Sequence, residues 1–135
     1  MGYSLGSAIA LHVADVHRND TFPHGTHLIA PFYSALSVVF GRSNWSLYLT
    51  SFYYLFDALV AKTPVLRQGH RIQISHGGSD TVVPAVHGRS LANLARNHSR
   101  KFSSYTEIPE GTHQSIRLFE DIYSDSKQLF FGHLM

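Results

Sequence analysis

Three short stretches of the chain carry residue types that can do nucleophilic chemistry together. The first is GYSLG at residues 2–6, a G-x-S-x-G pattern that places Ser4 between two glycines. In such a pattern the serine sits on a sharp turn between a strand and a helix, with its hydroxyl exposed. A serine hydroxyl is a poor nucleophile at neutral pH, because it needs an imidazole to accept its proton and a carboxylate to orient that imidazole. The pattern therefore raises the question of whether an acid and a histidine follow Ser4.

An aspartate and a histidine do follow, each directly after a stretch typical of a strand. Asp80 comes after the alternating residues 71–76, and His113 comes after residues 103–108. Because open α/β sheets carry their sites at the carboxyl ends of parallel strands, we expect the three side chains at one edge of one sheet. A serine or an aspartate beside glycines is often only a turn residue. The order and placement of the three residues together favour the chemical interpretation.

The other aspartates and histidines of the chain are weaker candidates for the acid and the base. Asp57 and Asp121 are rival candidates for the acid, but neither follows a predicted strand directly. Of the 10 histidines, His76 and His87 flank the acid stretch and are interpreted as loop-orienting or solvent-facing. His113 is thus the histidine to which the sequence gives a chemical role.

The elements that must position these residues alternate along the chain. Apolar periodicity predicts helices over residues 5–16, 84–97 and 115–131, and strands over residues 27–30, 71–76 and 103–108. Alternation of this kind implies parallel strands joined by crossover helices, which is an α/β layer structure. Residues 32–61 are less regular and rich in aromatics. We interpret them as a packing segment, with an acyl-binding wall or a membrane-touching surface as the alternative.

The composition of the chain limits the classes of protein and of functional site that are compatible with it. The chain has 135 residues, of which 44% are hydrophobic and 15% charged, so it suits a single globular domain over residues 1–135. A net charge of +2 spread along the chain argues against a nucleic-acid partner. The absence of cysteine excludes disulfides, a thiolate zinc site and a cysteine nucleophile. It suits a reducing compartment without requiring one, so the location stays open, with a cytoplasmic or membrane-peripheral one favoured.

The motifs around these residues resemble one family. The stretches that carry the likeness are GYSLG at 2–6, FDA at 56–58, HGGSDTVVP at 76–84 followed by HG at 87–88, and GTH at 111–113. They are similar to the second half of an α/β-hydrolase-fold serine hydrolase, in which the acting residues follow one another as Ser, Asp and His. The acid stretch resembles that of the lid-less branch, which includes protein depalmitoylases and Bem46-like enzymes. The match runs from Gly2 to roughly Phe119.

The resemblance implies a role for each matched position. Ser4 would be the nucleophile, His113 the general base and then the general acid, and Asp80 the orienting carboxylate. The backbone N–H of Leu5 would donate to the developing oxyanion. The implied reaction is hydrolysis of an ester or thioester, on a small molecule or an acylated protein, through an acyl-serine and without a metal or cofactor.

The resemblance also implies that part of the fold is absent. In the family most strands of the sheet lie at or before the elbow, whereas this chain retains about three parallel strands with crossover helices. We therefore expect a truncated domain without the N-terminal strands, the elbow's own strand or the second oxyanion donor. An exposed sheet edge would then be open to pairing with another chain. The alternative function is that of an inactive hydrolase fragment or a binding module, with peripheral membrane contact also left open.

Overall fold

Strands and helices alternate in the computed structural model, which describes residues 1–17, 25–33, 71–98, 104–119 and 124. The strands are β1 (Gly2–Tyr3), β2 (Gly25–Ile29), β3 (Arg71–Gly77) and β4 (Ser104–Ile108). The helices are α1 (Leu5–Val16), α2 (Val86–His98) and a 3-10 helix, Ser115–Leu118. The described strands form one four-stranded parallel sheet in the order β1-β2-β3-β4. This confirms the predicted α/β class.

The middle of the sheet is buried on both faces. Every residue of β2 is buried, and so is all of β3 except its first residue. Parallel strands covered on both sides show such continuous burial rather than an inside-outside alternation. On one face, Leu28 and Ile74 of the sheet pack with Leu11 of α1 and Leu91 of α2. Each fully buried aliphatic side chain of this kind contributes roughly 1.5–3 kcal/mol to folding.

The opposite face carries a smaller core. Ile29, Ala30, Ile108 and Ile116 form this second cluster. Ile116 is completely buried and anchors the 3-10 helix against the sheet. Because Ile108 ends β4 and Ile116 follows His113 by three positions, this cluster holds the segment that carries the histidine.

One expectation about the strands is wrong. The elbow's own strand is present: Gly2 and Tyr3 pair in parallel with Leu28 and Ile29. The two residues before Ser4 are extended and continue the ladder of β2, so the described sheet has four strands rather than about three. This strand is only two residues long, which leaves no periodic pattern by which the sequence could have shown it.

The closing helix also differs from its prediction. Residues 115–118 form a 3-10 helix, and Phe119 ends it with an extended backbone at φ −75° and ψ 122°. Of the remaining positions predicted to be helical, residues 120–123 and 125–131 lie outside the described residues. So does the aromatic segment from residue 34 onward, together with the FDA motif at 56–58.

A buried histidine of β2 contacts the neighbouring strand β3. The His27 side chain is completely buried, and its Nε2 lies 2.9 Å from the Ser75 hydroxyl oxygen. Burial, and to a smaller extent the positive N-terminus, lowers the pKa of His27 from 6.5 to about 4. His27 is therefore neutral in the folded protein near neutral pH.

Across the described ranges, no helix is both long enough and apolar enough to cross a membrane.

Candidate active site

The elbow places Ser4 in a strained backbone conformation. Ser4 has φ 50°, in the left-handed region that residues other than glycine seldom adopt. Its own N–H donates to the Ile29 carbonyl at 2.9 Å, and the Ser7 N–H donates to the Ser4 carbonyl at 2.9 Å. Such a conformation costs on the order of 1–3 kcal/mol and persists only where the surroundings enforce it. The turn places the serine at the point where β1 ends and α1 begins.

Gly2 is required because backbone meets backbone at this turn. A Cβ atom on Gly2 would overlap the carbonyl of Gly6 and the Cα of Ser7, both part of the first turn of α1. Gly6 itself has open space where its Cβ would be. The Ser7 hydroxyl lies 3.0 Å from the Gly2 carbonyl oxygen and 3.3 Å from that of Ile29, so it ties the helix back onto the strands. The surrounding backbone therefore excludes a side chain at Gly2 but leaves room for one at Gly6.

The first residue of α1 supplies an oriented donor. Leu5 begins the helix, and the first four N–H groups of an α-helix have no partner within the helix. These groups also carry the positive end of the helix dipole. The Leu5 N–H is adjacent to Ser4 in the chain and therefore lies beside the serine, where negative charge would be stabilised.

The structure brings the three predicted side chains into one hydrogen-bonded series. His113 Nε2 lies 3.1 Å from Ser4 Oγ, and His113 Nδ1 lies 2.7 Å from Asp80 Oδ2. A carboxylate oxygen only accepts, so the proton of a neutral His113 sits on Nδ1 and leaves Nε2 free to accept from the serine hydroxyl. The arrangement can move a proton from Ser4 to His113 while Asp80 holds the imidazole ring.

Asp80 is buried and saturated with donors. The residue is 5% exposed. While Oδ2 faces His113, Oδ1 accepts from the backbone N–H groups of Val82 at 2.9 Å and Val83 at 2.8 Å. These bonds fix the rotation of the carboxylate. Asp80 is therefore held in the position from which it can orient the ring.

Two loops are joined beneath Asp80 and His113. The N–H of Gly78 donates to the Ile108 carbonyl at 2.7 Å, and that of Ser79 donates to the Gly111 carbonyl at 3.1 Å. A Cβ on Gly77 would overlap the carbonyl of Gly111, so the loops can approach this closely only with glycine there. The loop after β3 and the loop after β4 therefore form one connected unit.

His76 is buried behind the acid. Its side chain is completely buried, with Nε2 at 2.8 Å from the Val83 carbonyl oxygen and 3.6 Å from Asp80 Oδ2. Its Nδ1 has no hydrogen-bond partner among the described residues and lies against Gly88. Burial lowers the pKa of His76, so the ring is neutral and its Nε2–H donates to Val83. The loop-orienting interpretation of His76 agrees with this position, and the solvent-facing one does not.

His87 is also buried rather than solvent-facing. It is 4% exposed, and the Tyr33 N–H donates to its Nδ1 at 3.3 Å. Alternation along the strand could have indicated that His76 is enclosed, because the alternate positions Ile72 and Ile74 of β3 are apolar. Nothing in the local sequence indicated the contact between His87 and Tyr33, which are far apart in the chain.

Asp57 and Asp121 lie outside the described residues. Within residues 1–17, 25–33, 71–98 and 104–119, no group of three or more His, Cys, Asp or Glu side chains is arranged to hold a metal ion.

Comparison with known proteins shows similarity in structure but not in sequence. No protein-family model matches the chain, and no curated protein matches it significantly. Solved structures do match. One is the acetyl xylan esterase from Paenibacillus sp. R4, with a TM-score of 0.61 at 15% identity, and another is acyl-protein thioesterase 2 from Zea mays, with 0.58 at 13%. A third, described as an alpha/beta hydrolase enzyme from a sediment metagenome of the Mar Chica lagoon in Morocco, gives 0.58 at 14%.

The chain has part of the α/β-hydrolase fold. The matches cover 97%, 95% and 94% of this chain for the esterase, the thioesterase and the metagenomic enzyme, respectively. They cover only 44%, 54% and 59% of those proteins. The chain therefore spans about half the length of these α/β hydrolases.

Proposed function

We propose that this chain carries the catalytic centre of a serine hydrolase that cleaves an ester or a thioester. The single observation behind the proposal is the series from Ser4 Oγ through the His113 ring to Asp80, at distances of 3.1 and 2.7 Å, with Ser4 in the left-handed conformation of an elbow. Proton transfer from a serine needs a base within hydrogen-bond reach and an acid that orients the base. Both conditions are met by this geometry.

In the proposed reaction Ser4 Oγ attacks the carbonyl carbon of the substrate while its proton passes to His113 Nε2. The carbonyl oxygen gains the negative charge and faces the Leu5 N–H at the start of α1. When the tetrahedral intermediate collapses, the bond to the alcohol or thiol breaks and His113 returns the proton to that leaving group. Water then repeats the sequence on the acyl-serine, releasing the acid and restoring Ser4.

Asp80 stays ionised throughout this sequence. Its role is to hold the His113 tautomer and to stabilise the imidazolium that forms in each half-reaction. The two N–H donors from Val82 and Val83 support that role, since they compensate the buried charge. No cofactor is required by the mechanism.

For substrate class we propose a small-molecule or acylated-protein ester or thioester, within the lid-less Bem46-like and depalmitoylase-like branch. The support is the acid stretch HGGSDTVVP at residues 76–84, whose histidine, aspartate and valine form the contacts described above. The similarity of fold to an esterase and a thioesterase also supports an acyl substrate.

A second candidate is an inactive hydrolase fragment or binding module. The observation favouring it is that β1 is two residues long and stands at the end of the described sheet, so its outer edge has no strand partner among the described residues. An open edge is a template for another chain. The same observation leaves the nucleophile on the least supported strand.

The two candidates are separated by labelling the purified chain with a fluorophosphonate, which reacts with activated serines. We expect labelling of the wild type, its loss in Ser4→Ala and His113→Ala, and no change in Ser90→Ala, which alters a serine on α2. A chain that is folded by circular dichroism and remains unlabelled would contradict the hydrolase proposal and favour the binding module.

A further inference from the structure

Tyr3 links the strand of the nucleophile to the histidine. Its hydroxyl donates to the backbone carbonyl oxygen of His113 at 2.6 Å, between residues 110 positions apart in the chain. This distance lies at the short end of the range for O–H···O hydrogen bonds. Tyr3 is also the residue immediately before Ser4. One side chain therefore connects the backbone of the nucleophile to the backbone of the base.

The ring of Tyr3 adds a second contact with the same histidine. Its centroid lies 5.3 Å from that of the His113 ring, with the two planes tilted by 38°. The Arg117 guanidinium lies over the Tyr3 ring, 5.7 Å from its centroid, within the range of a cation–π contact. Tyr3 also packs against the cluster that contains Ile116. The ring is thus held in place from several sides while it contacts the imidazole.

The backbone of Tyr3 is itself fixed, because Tyr3 pairs with Ile29 in the ladder between β1 and β2. By contrast, the side-chain hydrogen bonds next to His113 on its own loop join Thr112 and Ser115, and all three are exposed to solvent. A side chain anchored in the sheet can restrain the position of His113 better than exposed loop contacts can. Catalytic groups must be held to within about 0.5 Å of the productive geometry.

We propose that Tyr3 is a positioning residue for the base: its hydroxyl and its ring hold His113 where Nε2 faces Ser4 Oγ. This inference rests on the proposed function for its effect on turnover. Tyr3 touches none of the reacting atoms and acts only through His113. Because the same residue leads directly into the elbow, it sets the distance between nucleophile and base from both sides.

The test is Tyr3→Phe, which removes the hydroxyl and keeps the ring. The matched control is Tyr105→Phe, since the Tyr105 hydroxyl also makes a hydrogen bond of 2.6 Å, to Glu107 on β4. With p-nitrophenyl acetate as the probe, we expect Tyr3→Phe to lower kcat roughly threefold to tenfold, in line with the loss of one hydrogen bond, with KM unchanged. Tyr105→Phe should keep the wild-type kcat.

A second readout does not depend on hydrolysis. The proton on His113 Nδ1, bound to Asp80, is expected as a strongly downfield signal in the proton NMR spectrum. Tyr3→Phe should shift or broaden this signal, whereas Tyr105→Phe should leave it in place. Arg117→Ala, at an exposed position that does not endanger the fold, should shift it in the same direction as Tyr3→Phe and by less.

These readouts distinguish the positioning role from the proposed function. If the wild type is not labelled at Ser4 but the His113 signal moves in Tyr3→Phe and not in Tyr105→Phe, the hydrolase proposal fails and the positioning role of Tyr3 stands. If the signal and the kcat of Tyr3→Phe both equal those of the wild type, the positioning role is overturned. A loss of thermal stability in Tyr3→Phe with an unmoved signal would likewise assign Tyr3 a merely structural role and overturn the proposal.

Discussion

Two regions of the molecule hold the candidate site, and they are built differently. The acid-loop region, residues 77–83 with 108–113, is joined by backbone hydrogen bonds of 2.7 and 3.1 Å between its two loops. It follows two strands that pair over five positions. The elbow region, residues 1–16, contains a strand that pairs over two positions only. Asp80 and His113 thus lie on two loops that are hydrogen-bonded to each other, whereas Ser4 follows a strand of only two residues.

The outer surface of the elbow region shows the same contrast. Four apolar side chains of α1 are between 47% and 63% exposed, namely Leu5, Ile9, Val13 and Val16. They recur at the spacing of one helix face. In the acid-loop region the corresponding exposed apolar residue is Val82, at 58%. The comparison indicates that the precision of the site depends mainly on how well the elbow region holds Ser4.

The largest expected effect concerns the acid-loop region. Asp80→Asn is isosteric and can still accept from Val82 and Val83, but its NH₂ group cannot accept the proton of His113 Nδ1 and so favours the wrong tautomer. We expect the rate of fluorophosphonate labelling to fall about ten-thousand-fold with the fold intact.

The matched control for that change is Glu110→Gln, which removes an exposed carboxylate from the same region and should label at the wild-type rate. A labelling rate for Asp80→Asn within about tenfold of the wild type would show that the acid-loop region does not position the base through Asp80.

The next effect tests the elbow region. In Gly2→Ala the new Cβ meets the backbone of Gly6 and Ser7, which cannot move without displacing the turn. We expect the free energy of unfolding, measured with urea, to fall by about 1–3 kcal/mol. Gly6→Ala has open space and lies in α1, so it should instead stabilise the chain by about 0.5–1 kcal/mol. Equal effects of the two substitutions would contradict the described geometry of the elbow.

A pH effect arises at His27, in the strand that joins the two regions. Its pKa is about 4 in the folded chain against 6.5 in the unfolded one, so the unfolded state binds more protons between these values. The contribution of His27 to the free energy of unfolding is therefore present above pH 6.5 and is lost as the pH falls toward 4. Between about pH 7 and about pH 5 we expect the free energy of unfolding to drop by roughly 2 kcal/mol from His27.

The substitution that checks this pH effect is His27→Gln, which should flatten the profile of unfolding free energy against pH. Buried His76 contributes in the same direction, so part of the slope remains. Ser90→Ala, which changes no titratable group, should leave the slope unchanged. If His27→Gln left the slope of unfolding free energy against pH unaltered, His27 would be excluded as the cause of the pH dependence.

The smallest effect concerns the surface. Ile9→Gln and Val82→Gln replace side chains of nearly equal exposure, 59% and 58%, so each should change the free energy of unfolding by no more than about 0.5 kcal/mol. Only Ile9→Gln interrupts the apolar row on α1. We expect it alone to reduce binding of an apolar dye and concentration-dependent association, measured by light scattering. The same reduction in Val82→Gln would show that the apolar row on α1 does not distinguish the surface of the elbow region from that of the acid-loop region.

Much of the architecture could be predicted from local sequence. The helix over residues 5–16 and the strands over residues 71–76 and 103–108 were expected within one residue or so of their positions in the structure. Apolar periodicity and the glycines and prolines that end these segments determine them locally. The order of Ser4, Asp80 and His113, each after a strand, followed from the same patterns.

The tertiary structure alone decided the rest. A two-residue strand has no periodicity, so the pairing of Gly2 and Tyr3 with β2 exists only through the neighbour that supplies its hydrogen bonds. The contact from Tyr3 to His113 spans 110 positions, and no local pattern reports which distant group a side chain will meet. The sequence by itself determined which residues are chemically able and at which sheet edge they belong. Whether they come within hydrogen-bond distance depended on loop closure between β3 and β4 and on the packing of residues 1–17 and 104–119 against one sheet.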